Sequence, residues 1–88
     1  MKALYFTSKT CAACKKMAPV IDKLIAEGYQ IAIIDARIDA DIAENYQISS
    51  LPTLIVFNGD IEIKRLNGVV SESEIRTSLK KNFDYQIW

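Results

Sequence analysis

Residues 2–7 (KALYFT) are mostly apolar and partly aromatic, the pattern of a short strand. The polar triplet Ser8-Lys9-Thr10 ends that run, and Thr10 is placed to cap a following helix. From Cys11 onward the period changes. Cys14, Met17, Ala18, Ile21, Leu24 and Ile25 fall on one helical face, with Lys15, Lys16, Asp22, Lys23 and Glu27 mostly elsewhere. Gly28 is suited to end the helix. Pro19 lies inside it, removing a backbone donor and crowding the Lys15 carbonyl. The apolar period stays in phase across the proline, so one bent helix is expected, not two.

Residues 30–35 (QIAIID) form a near-continuous apolar run, the pattern of a strand covered on both faces. Asp39 is placed to cap a short helix through Tyr46 that buries Ile42, Ala43 and Tyr46. Residues 53–57 (TLIVF) are a β-rich run, Asn58-Gly59 signals a hairpin, and residues 61–66 return. After Gly68, Ser71 and Glu74 form a capping box that opens a last helix with Ile75 and Leu79 inward. The order is β-α-β-α-β-β-α. Two strands joined by a helix run parallel with a right-handed crossover, and the hairpin adds an antiparallel pair. An α/β domain follows, a four-stranded mixed sheet flanked by helices, with residues 1–88 as one unit.

Half of the 88 residues are apolar and a quarter are charged, enough for one modest core. Eleven basic residues balance eleven acidic ones, so no net field draws the chain to nucleic acid or an anionic membrane. No apolar stretch approaches the length of a membrane span, and no secretory leader is visible. A reducing cytoplasm is the expected location, unless a leader has been removed. A monomer is expected.

The chain holds two cysteines and no histidine, which removes the commonest general base and the commonest metal ligand together. Cys11-Ala12-Ala13-Cys14 falls where a strand hands over to a helix. There, unpaired N–H groups and the positive end of the helix favour a thiolate at Cys11, the form that attacks disulfides. Cys14, one turn further in, is better shielded and can resolve a mixed disulfide. The i, i+3 spacing brings both sulfurs to one side of the first turn. Three plainer readings compete. A structural disulfide closing so short a loop restricts the unfolded chain by only about 2 kcal/mol. A zinc site wants four ligands, more than two cysteines without histidine supply. Incidental core thiols would not explain the strand–CxxC–helix placement, so redox chemistry is favoured and no metal is expected. Lys9, Lys15 and Lys16 lie nearby, as a solvated face or as added positive potential.

Ser50-Leu51-Pro52-Thr53 is the second feature, with Pro52 at the start of the third strand, where a missing N–H is tolerable. Only about 5–6% of X–Pro bonds in folded proteins are cis, so the residues alone favour trans.

Taken together, these positions resemble the thioredoxin superfamily over nearly the whole chain. The resemblance rests on the CxxC pair after the first strand, Lys15 directly after it, and Pro19 five residues past Cys14. Tyr46, Pro52-Thr53, the Asn58-Gly59 hairpin and Gly68 ahead of the final helix extend it. It implies a minimal thioredoxin fold in which the Leu51–Pro52 bond is cis and faces the cysteines. It further implies that Leu51, Pro52, Thr53 and Gly68 shape the groove for a disulfide-containing protein substrate. The chain begins at the strand before CxxC, and in this it is similar to glutaredoxins and to the short thioredoxin-like proteins of archaea and phages. Two departures stand out. The usual Trp-Cys-Gly-Pro-Cys is replaced by Thr10-Cys11-Ala12-Ala13-Cys14, and the buried aspartate that assists proton transfer in thioredoxins aligns with Tyr5. Asp35 is the nearest candidate to substitute for it.

The implied activity is reduction of protein disulfides by dithiol exchange, with no bound cofactor and the Cys11–Cys14 pair as the redox centre. A separate reductase or glutathione must recycle the pair, because the chain carries no nucleotide-binding motif. The expected potential is roughly −280 to −200 mV, bracketed by thioredoxins and glutaredoxins. Two alternatives stay open. One is a glutaredoxin-like, glutathione-dependent enzyme, although residues 66–70 (LNGVV) offer no acidic contact for glutathione and only Lys9 is a candidate anchor. The other is a non-enzymatic docking subunit that uses the tail Phe83, Tyr85, Ile87 and Trp88, although in a plainer reading Phe83 extends the Ile75 and Leu79 stripe and the rest packs on the sheet.

Overall fold

The computed structural model describes the backbone of residues 2–87 and the side chains through Leu79. The aromatic tail therefore lies outside the described side chains. Strand β1 (Lys2–Thr7) leads to helix α1 (Ala12–Ala26), β2 (Gln30–Asp35), α2 (Ala40–Asn45), β3 (Thr53–Asn58), β4 (Ile61–Asn67) and α3 (Glu72–Ile87). The sheet order is β2-β1-β3-β4, parallel between β1 and β2 and antiparallel elsewhere. This is the β-α-β-α-β-β-α mixed sheet that the sequence predicts.

The period-2 alternation of β1 and β3 divides the core in two. Ala3, Tyr5, Leu54 and Val56 face α1 and α3, packing with Met17, Ile21, Leu24, Ile75 and Leu79. Phe6, Ile55 and Phe57 face the other way, against Ala43 of α2, with Tyr46 and Leu51 around them. Arg76 joins the two helices on the first face, pairing with Glu27 at 2.7 Å and with Glu72 at 2.7 Å. The N–H of Glu74 donates to Ser71 Oγ at 3.1 Å, one half of the expected capping box.

Several local expectations are corrected. β2 is an edge strand with one neighbour, so Ile33 stays 53% exposed instead of being covered on both faces. Helix α1 runs unbroken through Pro19, but its buried stripe is only Cys14, Met17, Ile21 and Leu24. Ala18 and Ile25 flank that stripe and are exposed. In α2 only Ala43 is buried, Ile42 is exposed, and Asp39 precedes the helix without a side-chain cap. The hairpin tip is Gly59-Asp60, because Asn58 pairs with Ile61. Gly59, at φ +64, takes the first central position and Asp60 has no positive φ, the sign pattern of a type II′ turn.

Candidate functional site

The site is built at one end of the sheet. Thr7 pairs with Asp35, Phe6 with Thr53, and Thr53 with Asn67. One step further along, Pro52 lies across from Thr7, and its carbonyl accepts the Gly68 N–H at 2.8 Å. The last residues of β1 and β2 and the residues flanking β3 and β4 thus form a row, and the loop after β1 carries the cysteines from it.

That loop is held by its own polar groups. Ser8 is buried, its hydroxyl lies 3.1 Å from Thr10 Oγ1, and the Cys11 N–H donates to the Ser8 carbonyl at 3.2 Å. Arg37 reaches over from the turn after β2 and donates to Thr10 Oγ1 at 3.2 Å. With its hydroxyl so engaged, Thr10 does not cap α1. Cys11 does, in extended backbone geometry, with the Cys14 N–H donating to its Sγ at 3.1 Å. The sulfur therefore satisfies one of the first-turn N–H groups that lack a partner within the helix.

Both thiols are free, and their surroundings differ. Cys11 is partly exposed while Cys14 is only 2% exposed. Burial pushes the Cys14 thiol up from its ordinary range, and the hydrogen bond with Cys11 adds to that. Thr7 and the Ser8 backbone pull the other way. Beneath Cys14, the Tyr5 hydroxyl donates to the Cys14 carbonyl at 3.5 Å. Burial, reinforced by the nearby Cys14, pushes that phenol up to about 12. At neutral pH it is a hydrogen-bonding group and not a base. It stands where the family resemblance implies a carboxylate.

These shifts have a sign. Each folded value lies above the ordinary one, so the stability they contribute is complete below 9.0 for Cys14 and 10.0 for Tyr5. It is lost as pH rises through the folded values. The denaturant midpoint of the reduced protein should fall from about pH 9 upward. The Tyr5 share of that loss, on the order of 3 kcal/mol, should vanish in Tyr5→Phe. A midpoint that stays flat to pH 12 in the wild type would contradict both assignments.

The other sequence candidates gather at the same end. The Leu51–Pro52 bond is cis, as the family resemblance implies and against the bare statistics of X–Pro bonds. Leu51 is half-buried and Val69 is exposed, leaving apolar surface on both sides of Pro52 and Gly68. Gly68 holds φ +81, a conformation that disfavours a side chain. Thr53 is buried, with its hydroxyl donating to the Ser50 carbonyl at 2.8 Å and lying 3.1 Å from Asn67 Oδ1. Its side chain fixes the proline segment and does not face outward. Asp35 borders a cleft that also contains Cys14, but its Oδ1 is committed to the Arg37 and Ile38 N–H groups at 2.9 and 3.2 Å. Sequence reasoning missed Thr7 and Arg37. Thr7 had a signal, since it shares strand parity with Tyr5; Arg37 had none, because its contact spans 27 residues.

Comparison with known proteins agrees with this geometry. The family model described as Thioredoxin matches residues 2–81. This chain belongs to the thioredoxin family. A thioredoxin from Echinococcus granulosus is 33% identical over 79 residues, covering 88% of this chain and 73% of that protein. One from Chlamydia trachomatis is 33% identical over 79 residues, covering 88% and 78%. Among solved structures, thioredoxin 1 from Thermosipho africanus superposes with a TM-score of 0.89 at 26% identity, over 100% of both chains. The protein is a thiol–disulfide oxidoreductase of the protein-disulfide reductase type, and Cys11 and Cys14 stand in the CxxC arrangement that activity needs.

Proposed function

We propose that Cys11 is the attacking thiolate and Cys14 the resolving thiol of a single-domain disulfide reductase spanning residues 1–88. The observation that carries this reading is the unequal exposure of the pair, Cys11 reachable at a helix cap and Cys14 2% exposed behind it. The Cys11 sulfur attacks a substrate disulfide, one substrate sulfur leaves as a thiolate, and a mixed disulfide forms. Cys14 then attacks Cys11 Sγ, expelling the second substrate thiolate and closing the Cys11–Cys14 disulfide. Two electrons pass from the cysteine pair to the substrate, and no bound cofactor or metal takes part.

An extended substrate segment lies against Leu51, Pro52 and Gly68, with Thr53 holding the proline segment from within. The half-buried Leu51 and exposed Val69 supply apolar contact, and Gly68 leaves room for a backbone to approach. The protein works as a monomer in the cytoplasm and is recycled by a thioredoxin reductase-like flavoenzyme. No helix among the described residues is long and apolar enough to cross a membrane. NADPH consumption with insulin as substrate tests the donor. Turnover is expected with thioredoxin reductase and not with glutathione and glutathione reductase. Turnover only with glutathione would move the protein to the glutaredoxin type.

A further inference from the structure

The resolving step requires Cys14 to give up a proton, and the group directly beneath it is the Tyr5 phenol. Tyr5 cannot take that proton at neutral pH, for the reason given above. The way out lies to the side. A cleft of about 380 Å3, lined by Thr7, Ser8, Lys9, Cys14, Lys15, Ala18 and Asp35, opens beside the buried thiol. Thr7 stands at its wall. By strand alternation its side chain follows Ala3 and Tyr5 onto the α1 face, and at the strand end it is only half-buried. Its hydroxyl shares the cleft lining with Cys14 and lies close enough to the Tyr5 hydroxyl and the Cys14 thiol to hold both below where burial alone would put them. A hydroxyl both donates and accepts, so it can pass a proton without ionising.

We propose that the Thr7 hydroxyl relays the Cys14 proton to solvent in this cleft during resolution of the mixed disulfide. Cys14 Sγ–H gives its proton to Thr7 Oγ1 while the Thr7 hydroxyl proton passes to water. The freed electron pair on Cys14 Sγ forms the bond to Cys11 Sγ as the Cys11–substrate S–S bond breaks. The substrate sulfur leaves with that bonding pair and takes a proton from water. Thr7 is unchanged at the end. The titratable groups facing this path are Tyr5 from β1, Cys11 at the helix cap, Lys9 and Lys15 at the cleft mouth, and Asp35 from β2. The two lysines oppose proton delivery toward them, and Asp35 favours it.

This inference rests on Cys14 being the resolving thiol, and the experiment separates the two. A symmetrical nitrothiobenzoate disulfide releases one coloured thiolate when Cys11 attacks and a second when Cys14 resolves, so stopped-flow absorbance reads the two steps as two phases. In Thr7→Val the second phase should slow relative to the first by about 100-fold, the low end of what positioned proton transfer contributes. Its pH midpoint should move upward, because Thr7 lowers the Cys14 value. Thr7→Ser should restore both. A second phase unchanged in Thr7→Val, or not restored by Thr7→Ser, overturns the relay. A second phase that survives Cys14→Ser overturns the assignment of Cys14 instead. Should Thr7→Val not fold, the wild-type second phase in mixtures of light and heavy water decides. A curved dependence on deuterium fraction marks two protons moving together, and a linear or absent one overturns the relay.

Discussion

Cys14→Ser should convert the protein into a covalent trap. Cys11 keeps its place as the helix cap and its exposure, so the first attack proceeds; the buried side chain that would release the substrate can no longer do so. Incubation with a disulfide protein such as insulin should give an adduct on a non-reducing gel that dithiothreitol dissolves. Catalytic insulin reduction should drop to the level of the blank. Cys11→Ser should also abolish turnover, but without an adduct, because Cys14 is screened by the first helical turn and by Thr7 and Ser8 around it. An adduct formed through Cys14 in Cys11→Ser, and none through Cys11 in Cys14→Ser, would reverse the two roles.

Phe6→Ala should cost about 3–5 kcal/mol, the usual range for removing a buried aromatic ring. Phe6 is 0% exposed, and its ring lies 5.8 Å from that of Tyr46, which in turn meets Phe57 at 5.9 Å edge-on. Such contacts contribute about 0.5–1.5 kcal/mol each beyond the area they bury. On the α2 face the buried members are Phe6, Ala43, Ile55 and Phe57, and half-buried residues such as Leu4, Ile34, Tyr46 and Leu51 pack against them. A six-residue helix does not hold itself together in water, so α2 depends on this cluster. With about 5–15 kcal/mol available to a domain of this kind, the variant should be marginally folded. Urea titration measures it. Ile33→Ala, on the exposed edge strand, is the contrast and should change stability by about 0.5 kcal/mol or less. Equal losses in the two variants would mean that the sheet faces have been assigned wrongly.

The element order was legible because each period is local: alternation in β1 and β3, a three-to-four spacing in α1, a capping serine before α3. What depends on neighbours was not. A run such as residues 30–35 reads the same in the middle of a sheet as at its edge, and only strand order makes Ile33 exposed. The Asn58-Gly59 pair marked the hairpin but not its centre, because Asn58 itself pairs with Ile61 and leaves Gly59-Asp60 as the tip. At the site, the spacing of Cys11 and Cys14 and their place after a strand were readable directly. The capping role of Cys11 was not, since Thr10 is by type the better cap and is drawn off by Ser8 and Arg37. Tyr5 was visible as a departure from the family pattern. Thr7, two residues on, shares that face by strand parity, but only packing shows that it borders the opening.

Cys11 as helix cap has a consequence for what the backbone experiences during turnover. In the dithiol state its sulfur is the acceptor for the Cys14 amide, and that bond strengthens when the sulfur is ionised. Once the sulfur is shared with Cys14 in a disulfide, it carries no charge and accepts weakly. Oxidation thus exchanges an electrostatic cap for a covalent clasp across the same three residues. The start of α1 is held by different forces in the two redox states.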